Sequence, residues 1–276
     1  MRLFGTVGII GTGLIGGSLA QGIKKKGLAE RVLGVSRSQT TARLARKLGI
    51  VDASSTDIGL IKDADLVVFA APVEATLSLA PRVAGIIGKD CIVSDVASTK
   101  RLIVKEFSRL FPRYIGTHPL AGLEKSGVRY ADQEIFRGAL CIFTPTAATD
   151  PRALAKIKKL WFSLGSKVTL LDPALHDRAL SLVSHLPHAA AFSLMRCIPK
   201  EYLPFASGGL KDTTRIAASD AHLWSEIFLS NKKNLLVAIR AFEAQTALLK
   251  KALQKDDKAL LVKLLQQAKD RREMLG

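Results

Sequence analysis

The stretch GTHPLAGLEKSG, residues 116–127, places His118 before a proline at the end of an apolar, strand-like run. An imidazole changes charge near neutral pH, so a histidine held on a rigid element can accept a proton from a substrate. A second polar segment, SDVASTK at residues 94–100, also follows a strand-like run. Open α/β sheets bind ligands at the carboxyl ends of their strands. We therefore predict general-base chemistry by His118 at this edge of a sheet.

Two more polar motifs lie in the second half of the chain. SHLPH ends at His188, and its two histidines, His185 and His188, share one helix face at a spacing of three. Metal binding is one interpretation, but neither an acidic residue nor a cysteine stands nearby, so we expect no metal site. In LKDTTRIAASDAHLW, Arg215 is surrounded by small residues and could clamp a carboxylate. A structural ion pair is the alternative for Arg215.

A glycine motif near the start of the chain indicates a dinucleotide site. Gly11, Gly13 and Gly16 have the G-x-G-x-x-G spacing, and the motif follows a strand and opens a helix. The three glycines permit a tight turn, close approach of a pyrophosphate, and close helix–strand packing, so that the phosphates lie on the helix N-terminus. Candidate contacts to the cofactor also lie in the first helical turn and at two later strand ends, and they are Leu14, Ile15, Ala71, Pro72 and Asp95.

The residues after the second strand bear on which cofactor is bound. An acidic residue usually stands there to hold the 2′-hydroxyl of NAD, but this chain has Ser36 and Arg37. A serine hydroxyl and an arginine fork match a 2′-phosphate. We therefore predict a preference for NADP, with NAD as the alternative cofactor if Arg37 is only an exposed side chain.

The pattern of elements predicts a Rossmann-type α/β domain followed by a helical one. Strand-like runs alternate with helical segments over the first part of the chain, which is typical of a parallel sheet. The predicted strands are TVGII, RVLGV, LVVFAA, CIVSDV, YIGTHP, ALCIFTP and KVTLL. After Leu171 the pattern is helical. We expect a dinucleotide-binding domain over residues 1–171 and a helical substrate-binding and dimerisation domain over residues 172–276.

Helix signals divide the second half. Asp150-Pro151 and Asp172-Pro173 each predict a helix start, and Gly165 predicts a helix end. The longest predicted helix runs from about Ser230 to Gln254, and a last helix follows Asp256-Asp257. A helical region this apolar is expected to bury a face against a second subunit, unless it packs entirely on the first domain.

Composition restricts the classes of function. The chain has 276 residues and a formal net charge of +17, but its basic residues are scattered and form no nucleic-acid motif. No apolar run is long enough to span a membrane, and the first residues enter a strand directly, so we expect neither a membrane anchor nor a signal peptide, and a cytoplasmic location. Three distant cysteines indicate reduced thiols.

Taken together in this order, DVASTK, HPLAGLEKSG, SHLPH and DTTRIA…LW resemble the prephenate/arogenate dehydrogenase family of tyrosine biosynthesis, over nearly the whole chain. The resemblance implies oxidative decarboxylation of prephenate or arogenate with hydride transfer to NAD or NADP, by a homodimer. It implies that His118 takes the proton of the ring 4-hydroxyl and that Ser98 contacts this hydroxyl and the nicotinamide. The substrate-binding residues it implies, with the tryptophan from either subunit, are Ser184, His185, His188, Arg215, Glu124, Asp212 and Trp224.

Three alternatives remain at this point. The second histidine of SHLPH favours prephenate, whereas NADP use in this family often accompanies arogenate use. Another two-domain dehydrogenase, such as a β-hydroxyacid dehydrogenase, would lack the HPLAG and SHLPH pair. A catalytically inactive NADP-binding module would have no need for His118, Ser98 and Arg215 together.

Overall fold

In the computed structural model, which describes residues 2–122, 125 and 127–275, the strands form one eight-stranded sheet. The strands are β1 Phe4–Ile10, β2 Ala29–Val35, β3 Ala53–Ser55, β4 Leu66–Phe69, β5 Ile92–Asp95, β6 Tyr114–Pro119, β7 Leu140–Phe143 and β8 Lys167–Leu170. Their order across the sheet is β3-β2-β1-β4-β5-β6-β7-β8. The predicted α/β class is therefore confirmed.

Two features of the sheet differ from the prediction. The strand β6 pairs antiparallel with β7, whereas the other pairs are parallel. The described residues of the segment between them, 120–139, form short 3-10 turns and no crossover helix, and the chain returns in the opposite direction. The edge strand β3 was not predicted, because its sequence, Ala-Ser-Ser, carries no apolar pattern.

Helices cover both faces of the sheet and make up the later part of the chain. They are α1 Leu14–Lys25, α2 Gln39–Lys47, α3 Val73–Ala84, α4 Arg101–Leu110, α5 Pro151–Ser163, α6 Pro173–Leu180, α7 Leu186–Cys197, α8 Gly208–Thr214, α9 Ala221–Ser230, α10 Lys232–Gln254 and α11 Lys258–Glu273. Asp150 and Asp172 accept hydrogen bonds from backbone N–H groups at the starts of α5 and α6, as predicted. Gly165 follows α5 with a φ of +90°, a conformation that glycine adopts without strain.

The core consists of two apolar clusters on opposite faces of the sheet. Ile9 belongs to the cluster beneath α1 and α5, and its neighbour Ile10 belongs to the one beneath α3 and α4. Successive side chains of a strand point to opposite faces, so one strand supplies both clusters. Trp161 and Phe107 are large, fully buried members of the two clusters. This packing holds the strand ends, and with them the polar segments that follow, in fixed positions.

The chain separates into two compact units, residues 1–231 and residues 232–276. The first contains the sheet and the helices up to α9. The second consists of α10 and α11, which pack against each other. Several of its large apolar side chains are exposed, among them Val237, Phe242, Leu253 and Leu265. None of the described helices is both long and apolar enough to cross a membrane.

Candidate active site

The glycine loop has the conformation that a dinucleotide site needs. Gly11 has a φ of +96°, and a Cβ atom there would lie 2.5 Å from the carbonyl oxygen of Ala70. A Cβ atom on Gly16 would lie 1.9 Å from the carbonyl oxygen of Gly11, so this position tolerates only glycine. A Cβ atom on Gly13 would meet nothing within 4 Å, and no side chain caps the first turn of α1, to which Leu14 and Ile15 belong. The loop thus leaves open space beside free N–H groups, where a pyrophosphate fits.

The two residues after β2 have different surroundings. Ser36 is buried, and its hydroxyl shares a hydrogen bond with that of Thr12 in the glycine loop. Its position supports the loop, and its direct contact to the cofactor stays a prediction. Arg37 is exposed and has no hydrogen-bond or ion-pair partner among the described residues. Of these two residues, only Arg37 is exposed to solvent.

Asp95, at the end of β5, organises the interior and has no exposed surface. Its carboxylate accepts hydrogen bonds from the Tyr114 hydroxyl at 2.6 Å and from the Ala97 N–H at 3.0 Å, and it forms an ion pair with Lys100. Burial, followed by the charge of Asp95, raises the pKa of Tyr114 well above its usual range. Because protein donors occupy both its oxygens, Asp95 supports the strand end from within, where we had predicted a direct contact to the cofactor.

His118 occupies the end of β6 and is 8% exposed. Its Nδ1 lies 2.9 Å from Nε2 of His176, which belongs to α6. The Nδ1 of His176 in turn lies 2.8 Å from Oδ1 of Asp177. No described residue forms a hydrogen bond with Nε2 of His118. The ring is thus fixed on one side and free to accept a hydrogen bond on the other.

The surroundings of these three residues favour neutral imidazoles beside a charged carboxylate. Burial, and then the proximity of His176, Lys100 and His185, holds the pKa of His118 well below its usual range. Burial also lowers the pKa of His176, against the opposing effect of Asp177. For Asp177, burial alone would raise the pKa, but hydrogen bonds from His176 and two backbone N–H groups bring it below the usual value. At neutral pH, His118 can therefore accept a proton.

Asp177 also connects three segments of the site. Its two oxygens accept the backbone N–H groups of Lys100 and Arg101, at 2.7 and 2.9 Å, and so cap the start of α4. Its own carbonyl accepts a hydrogen bond from Nδ2 of Asn231, which also lies 3.1 Å from Nδ1 of His185. Since this amide nitrogen donates, Nδ1 of His185 accepts and its Nε2 carries the proton.

The SHLPH segment, residues 184–188, covers the end of a π-turn, Ser181–His185, and the first turn of α7. Pro187 lacks an N–H group, which is a common reason for a distorted turn. His188 stacks on Trp224 of the same chain with ring centroids 3.4 Å apart, and His185 meets the same indole edge-on at 6.1 Å. The two histidines therefore lie on one side, as predicted, although His185 ends the π-turn and only His188 belongs to the α-helix.

The remaining predicted residues lie around this centre. Ser98 is half-buried, and its hydroxyl has no partner among the described residues. Ser184 is half-buried, and its carbonyl accepts a hydrogen bond from Nδ1 of His188 at 3.0 Å. Ala71 and Pro72 follow β4 and lead into α3. In the first turn of α3, the N–H of Glu74 donates a hydrogen bond to a carboxylate oxygen of Glu226 from α9.

The structure does not bring every predicted residue into contact with His118. Arg215 is exposed at the start of the 3-10 turn Arg215–Ala218, which packs against α7, the helix that carries His188. Asp212 is exposed on α8, which also packs against α7. Glu124 lies outside the described residues.

Comparison with known proteins identifies the family. Residues 19–170 match the model of the prephenate dehydrogenase nucleotide-binding domain, and residues 172–267 match the model of the prephenate dehydrogenase dimerization domain. The chain belongs to the prephenate/arogenate dehydrogenase family. Both matches together cover most of the chain, so its assignment as a dehydrogenase does not depend on the motifs alone.

Individual members of the family are similar to this protein along nearly its full chain. The prephenate dehydrogenase of Bacillus subtilis is 34% identical over 98% of this chain and 76% of its own length. The crystal structure of prephenate dehydrogenase from A. aeolicus with hydroxyphenyl propionate and NAD+ superposes with a TM-score of 0.93, at 34% identity over 99% of this chain and 98% of the other. Synechocystis arogenate dehydrogenase gives a TM-score of 0.84 at 30% identity, over 98% of this chain and all of the other.

Four residues of the site were not among the predicted ones: Lys100, His176, Asp177 and Asn231. Lys100 closes the SDVASTK motif, but nothing in the sequence indicated that it is fully buried against Asp95. His176 and Asp177 are adjacent in a helix whose sequence resembles that of an exposed helix. Asn231 follows α9, where an asparagine commonly ends a helix. Only the packing of α6 against α4 and of α9 against α3 brings these residues to the site.

The described side chains contain no group of three or more histidine, cysteine, aspartate or glutamate residues that could hold a metal ion. The histidines of the site interact with each other, with Asp177, with Asn231 and with Trp224 instead.

Proposed function

We propose that this protein oxidatively decarboxylates prephenate to 4-hydroxyphenylpyruvate, with NADP as its preferred hydride acceptor. The observation that carries the proposal is the state of His118. Its ring is fixed through Nδ1, its pKa is held well below its usual range, and its Nε2 makes no hydrogen bond to a described residue at the carboxyl edge of the sheet. This is the arrangement that a general base for a substrate hydroxyl requires.

The chain's residues would act on the ring hydroxyl and hold the substrate in place. His118 accepts the proton of the 4-hydroxyl at Nε2, while Ser98 donates a hydrogen bond to the same oxygen. The bond between the ring and its carboxylate breaks, the carboxylate leaves as CO2, and the proton returns to the oxygen of the aromatic product. The nicotinamide, when bound, would accept the hydride that leaves the hydroxyl-bearing ring carbon. Rigid placement of the reacting groups would lower the barrier further.

The substrate is an anion, and the chain offers cationic and aromatic groups for it. We assign Arg215 to a substrate carboxylate, which a guanidinium can bind through two hydrogen bonds. His188, stacked on Trp224, would form one wall of the pocket, with Ser184, His185 and Asp212 nearby. The formal charge of +17 would favour the approach of anionic ligands over a long range.

The glycine loop, Gly11 to Gly16, would hold the pyrophosphate on the N-terminus of α1, with Ala71 and Pro72 alongside. The relative from A. aeolicus contains NAD+. For this chain we propose NADP, because Arg37 extends into solvent where the 2′-phosphate would lie, and no acidic residue stands there to repel it.

We propose prephenate over arogenate as the substrate. His188 is retained, and similarity is greater to the prephenate dehydrogenase from A. aeolicus than to the arogenate dehydrogenase from Synechocystis, in both identity and TM-score. The arogenate dehydrogenase alternative, with tyrosine as the direct product, is an outcome of the assay below.

We further propose that the protein is a homodimer through residues 172–276, and that the boundary of the dinucleotide-binding domain lies near residue 171. The second half matches a dimerization domain, and the unit 232–276 exposes large apolar side chains. Packing these side chains against a second copy would remove them from water. The cytoplasmic location stays a prediction.

The test is a set of four initial-rate measurements, with prephenate or arogenate as substrate and NAD or NADP as acceptor, followed by identification of the product. We expect the highest kcat/KM with prephenate and NADP. A higher kcat/KM with arogenate would establish the alternative substrate, and an equal or higher value with NAD would exclude the NADP preference. Absence of turnover in all four mixtures would overturn the proposed activity.

A further inference from the structure

We propose that His176 and Asp177 are positioning residues that fix the tautomer of His118, so that its Nε2 is the nitrogen without a proton. This inference rests on the proposed function, because it concerns the base that takes the substrate's proton. His118, His176 and Asp177 form one continuous hydrogen-bonded series, with separations of 2.9 and 2.8 Å. A neutral imidazole carries one proton, so each hydrogen bond in such a series determines the next one.

The series begins at Asp177, because its carboxylate can only accept. Its Oδ1 accepts the N–H of Lys100, and its Oδ2 accepts the N–H of Arg101. These two donors at the N-terminus of α4 stabilise the negative charge. With no proton on Asp177, the nitrogen of His176 that faces it, Nδ1, must be the donor.

The next bond follows from this assignment. His176 is fully buried beside Asp177 and stays neutral, so a proton on its Nδ1 leaves Nε2 with a lone pair. That lone pair faces Nδ1 of His118, which must therefore donate. The single proton of neutral His118 is then on Nδ1, and its Nε2 is available as a base.

The charged groups around the series agree with this assignment. Lys100 lies close to both His118 and His176, but its ammonium group is paired with Asp95. His185 is neutral and accepts a hydrogen bond from Asn231, so it adds no positive charge. If His176 gained a second proton, its Nε2 would become a donor, and His118 would be forced into the tautomer that cannot accept a proton.

A purely structural role is the competing explanation, since Asp177 also caps α4. The two roles make different predictions for the chemistry. The cap needs two oxygens that accept backbone N–H groups, and its loss would weaken folding or move the whole segment that carries Ser98. Tautomer control needs the series itself, and its loss would leave substrate binding unchanged while slowing the chemical step.

The most direct test is nitrogen-15 NMR of the wild-type protein with labelled histidine at neutral pH. Protonated and unprotonated imidazole nitrogens have widely separated shifts, and the chain has only five histidines to assign. The His118→Asn and His176→Gln variants assign the two relevant rings. We expect His118 to carry its proton on Nδ1. A proton on Nε2 of His118 in the wild-type protein would overturn the proposal.

Kinetics of three variants provide the second test. His176→Phe keeps an aromatic ring but removes both hydrogen bonds, and we expect kcat to fall by roughly 100-fold, the usual effect of a positioned base, with little change in KM. His176→Gln keeps an acceptor for His118 and should recover part of this loss. The matched control is Asp172→Asn. Asp172 caps the start of α6, the helix that carries His176, but its carboxylate takes no part in the hydrogen-bonded series.

The pH profile separates tautomer control from a shifted pKa. Both tautomers are neutral, so their ratio does not depend on pH, and the loss in His176→Phe should be the same at neutral and mildly alkaline pH. Recovery of kcat at higher pH, or equal losses in Asp172→Asn and His176→Phe, would contradict the proposal. If the wild-type protein turned over no substrate but His118 carried its proton on Nδ1, the proposed activity would be wrong and the tautomer assignment would stand.

Discussion

At the scale of single residues, the glycine loop and the end of β2 divide structural from ligand-binding positions. Gly16 is required by the fold, because a Cβ atom there would overlap the carbonyl oxygen of Gly11. Gly13 has open space around it, so the fold alone would accept a larger residue. The same contrast separates Ser36, which is bonded inside the protein, from Arg37, which is exposed.

Gly13→Ala should impair the binding of the cofactor without affecting folding. A methyl group would occupy the space where the pyrophosphate approaches the backbone, so we expect KM for NADP to rise about tenfold or more, equivalent to roughly 1.4 kcal/mol. Gly16→Ala is the contrasting variant, and overpacking should lower its free energy of unfolding by about 1–3 kcal/mol. Steady-state kinetics and urea denaturation measure the two effects. Equal destabilisation by both substitutions would contradict the assignment.

Arg37→Ala should lower kcat/KM for NADP by about 10- to 150-fold, the effect of losing a charge-assisted hydrogen bond worth 1.5–3 kcal/mol. With NAD, kcat/KM should stay nearly the same, because that cofactor has no 2′-phosphate. Arg46→Ala is the matched control, since it removes the same charge from an exposed position in the last turn of α2. Equal losses with both cofactors would show that Arg37 does not recognise the 2′-phosphate.

At the scale of elements, the sequence predicted those whose signals are local. The glycine loop follows a strand and opens a helix, and the Asp-Pro starts of α5 and α6 lie where predicted. The antiparallel turn into β7 and the three-residue edge strand β3 escaped prediction, because long-range pairing determines both. The π-turn before α7 and the arrangement of His176 and Asp177 likewise depend on how α6 packs against β6 and α4. Residue types alone cannot reveal such contacts.

The unit formed by α10 and α11 should determine the oligomeric state. Val237 is 60% exposed and Phe242 is 45% exposed, on a helix whose sequence matches a dimerization domain. A Val237→Asp/Phe242→Asp double variant should be monomeric at concentrations where the wild type is a dimer, because two charges would replace apolar contact area. Thr246→Asp is the control on the same helix. Light scattering after size-exclusion chromatography measures the mass. A double variant that is still dimeric would show that the interface lies elsewhere.

At the scale of the whole molecule, the buried histidines link stability to pH. Burial lowers the pKa values of His118, His176, His185 and His188, and for His185 the pKa falls to about 4. In the unfolded chain each of these imidazoles would return to a pKa near 6.5. The unfolded state therefore binds more protons below that pH, and the folded state loses stability as the pH falls from 6.5 towards the lowered values.

Denaturation by urea at pH 7.5 and at pH 5.5 should reveal this dependence. His185 alone should account for a loss of roughly 1.3 kcal/mol in the free energy of unfolding between these two values. A His185→Gln variant should lose correspondingly less free energy of unfolding over the same interval. An unchanged free energy of unfolding in the wild type would mean that these histidines are not held neutral by burial.

The central claim is that His118 is the base of a dehydrogenase, and the rate of its His118→Asn variant tests this most directly. Asparagine has a similar shape and can keep the hydrogen bond to His176, but it cannot accept the substrate's proton. With prephenate and NADP, we predict that kcat falls at least about 100-fold while KM changes little. His222→Asn, at an exposed position on α9, should behave like the wild type. A loss of less than about tenfold in the His118→Asn variant would contradict the claim.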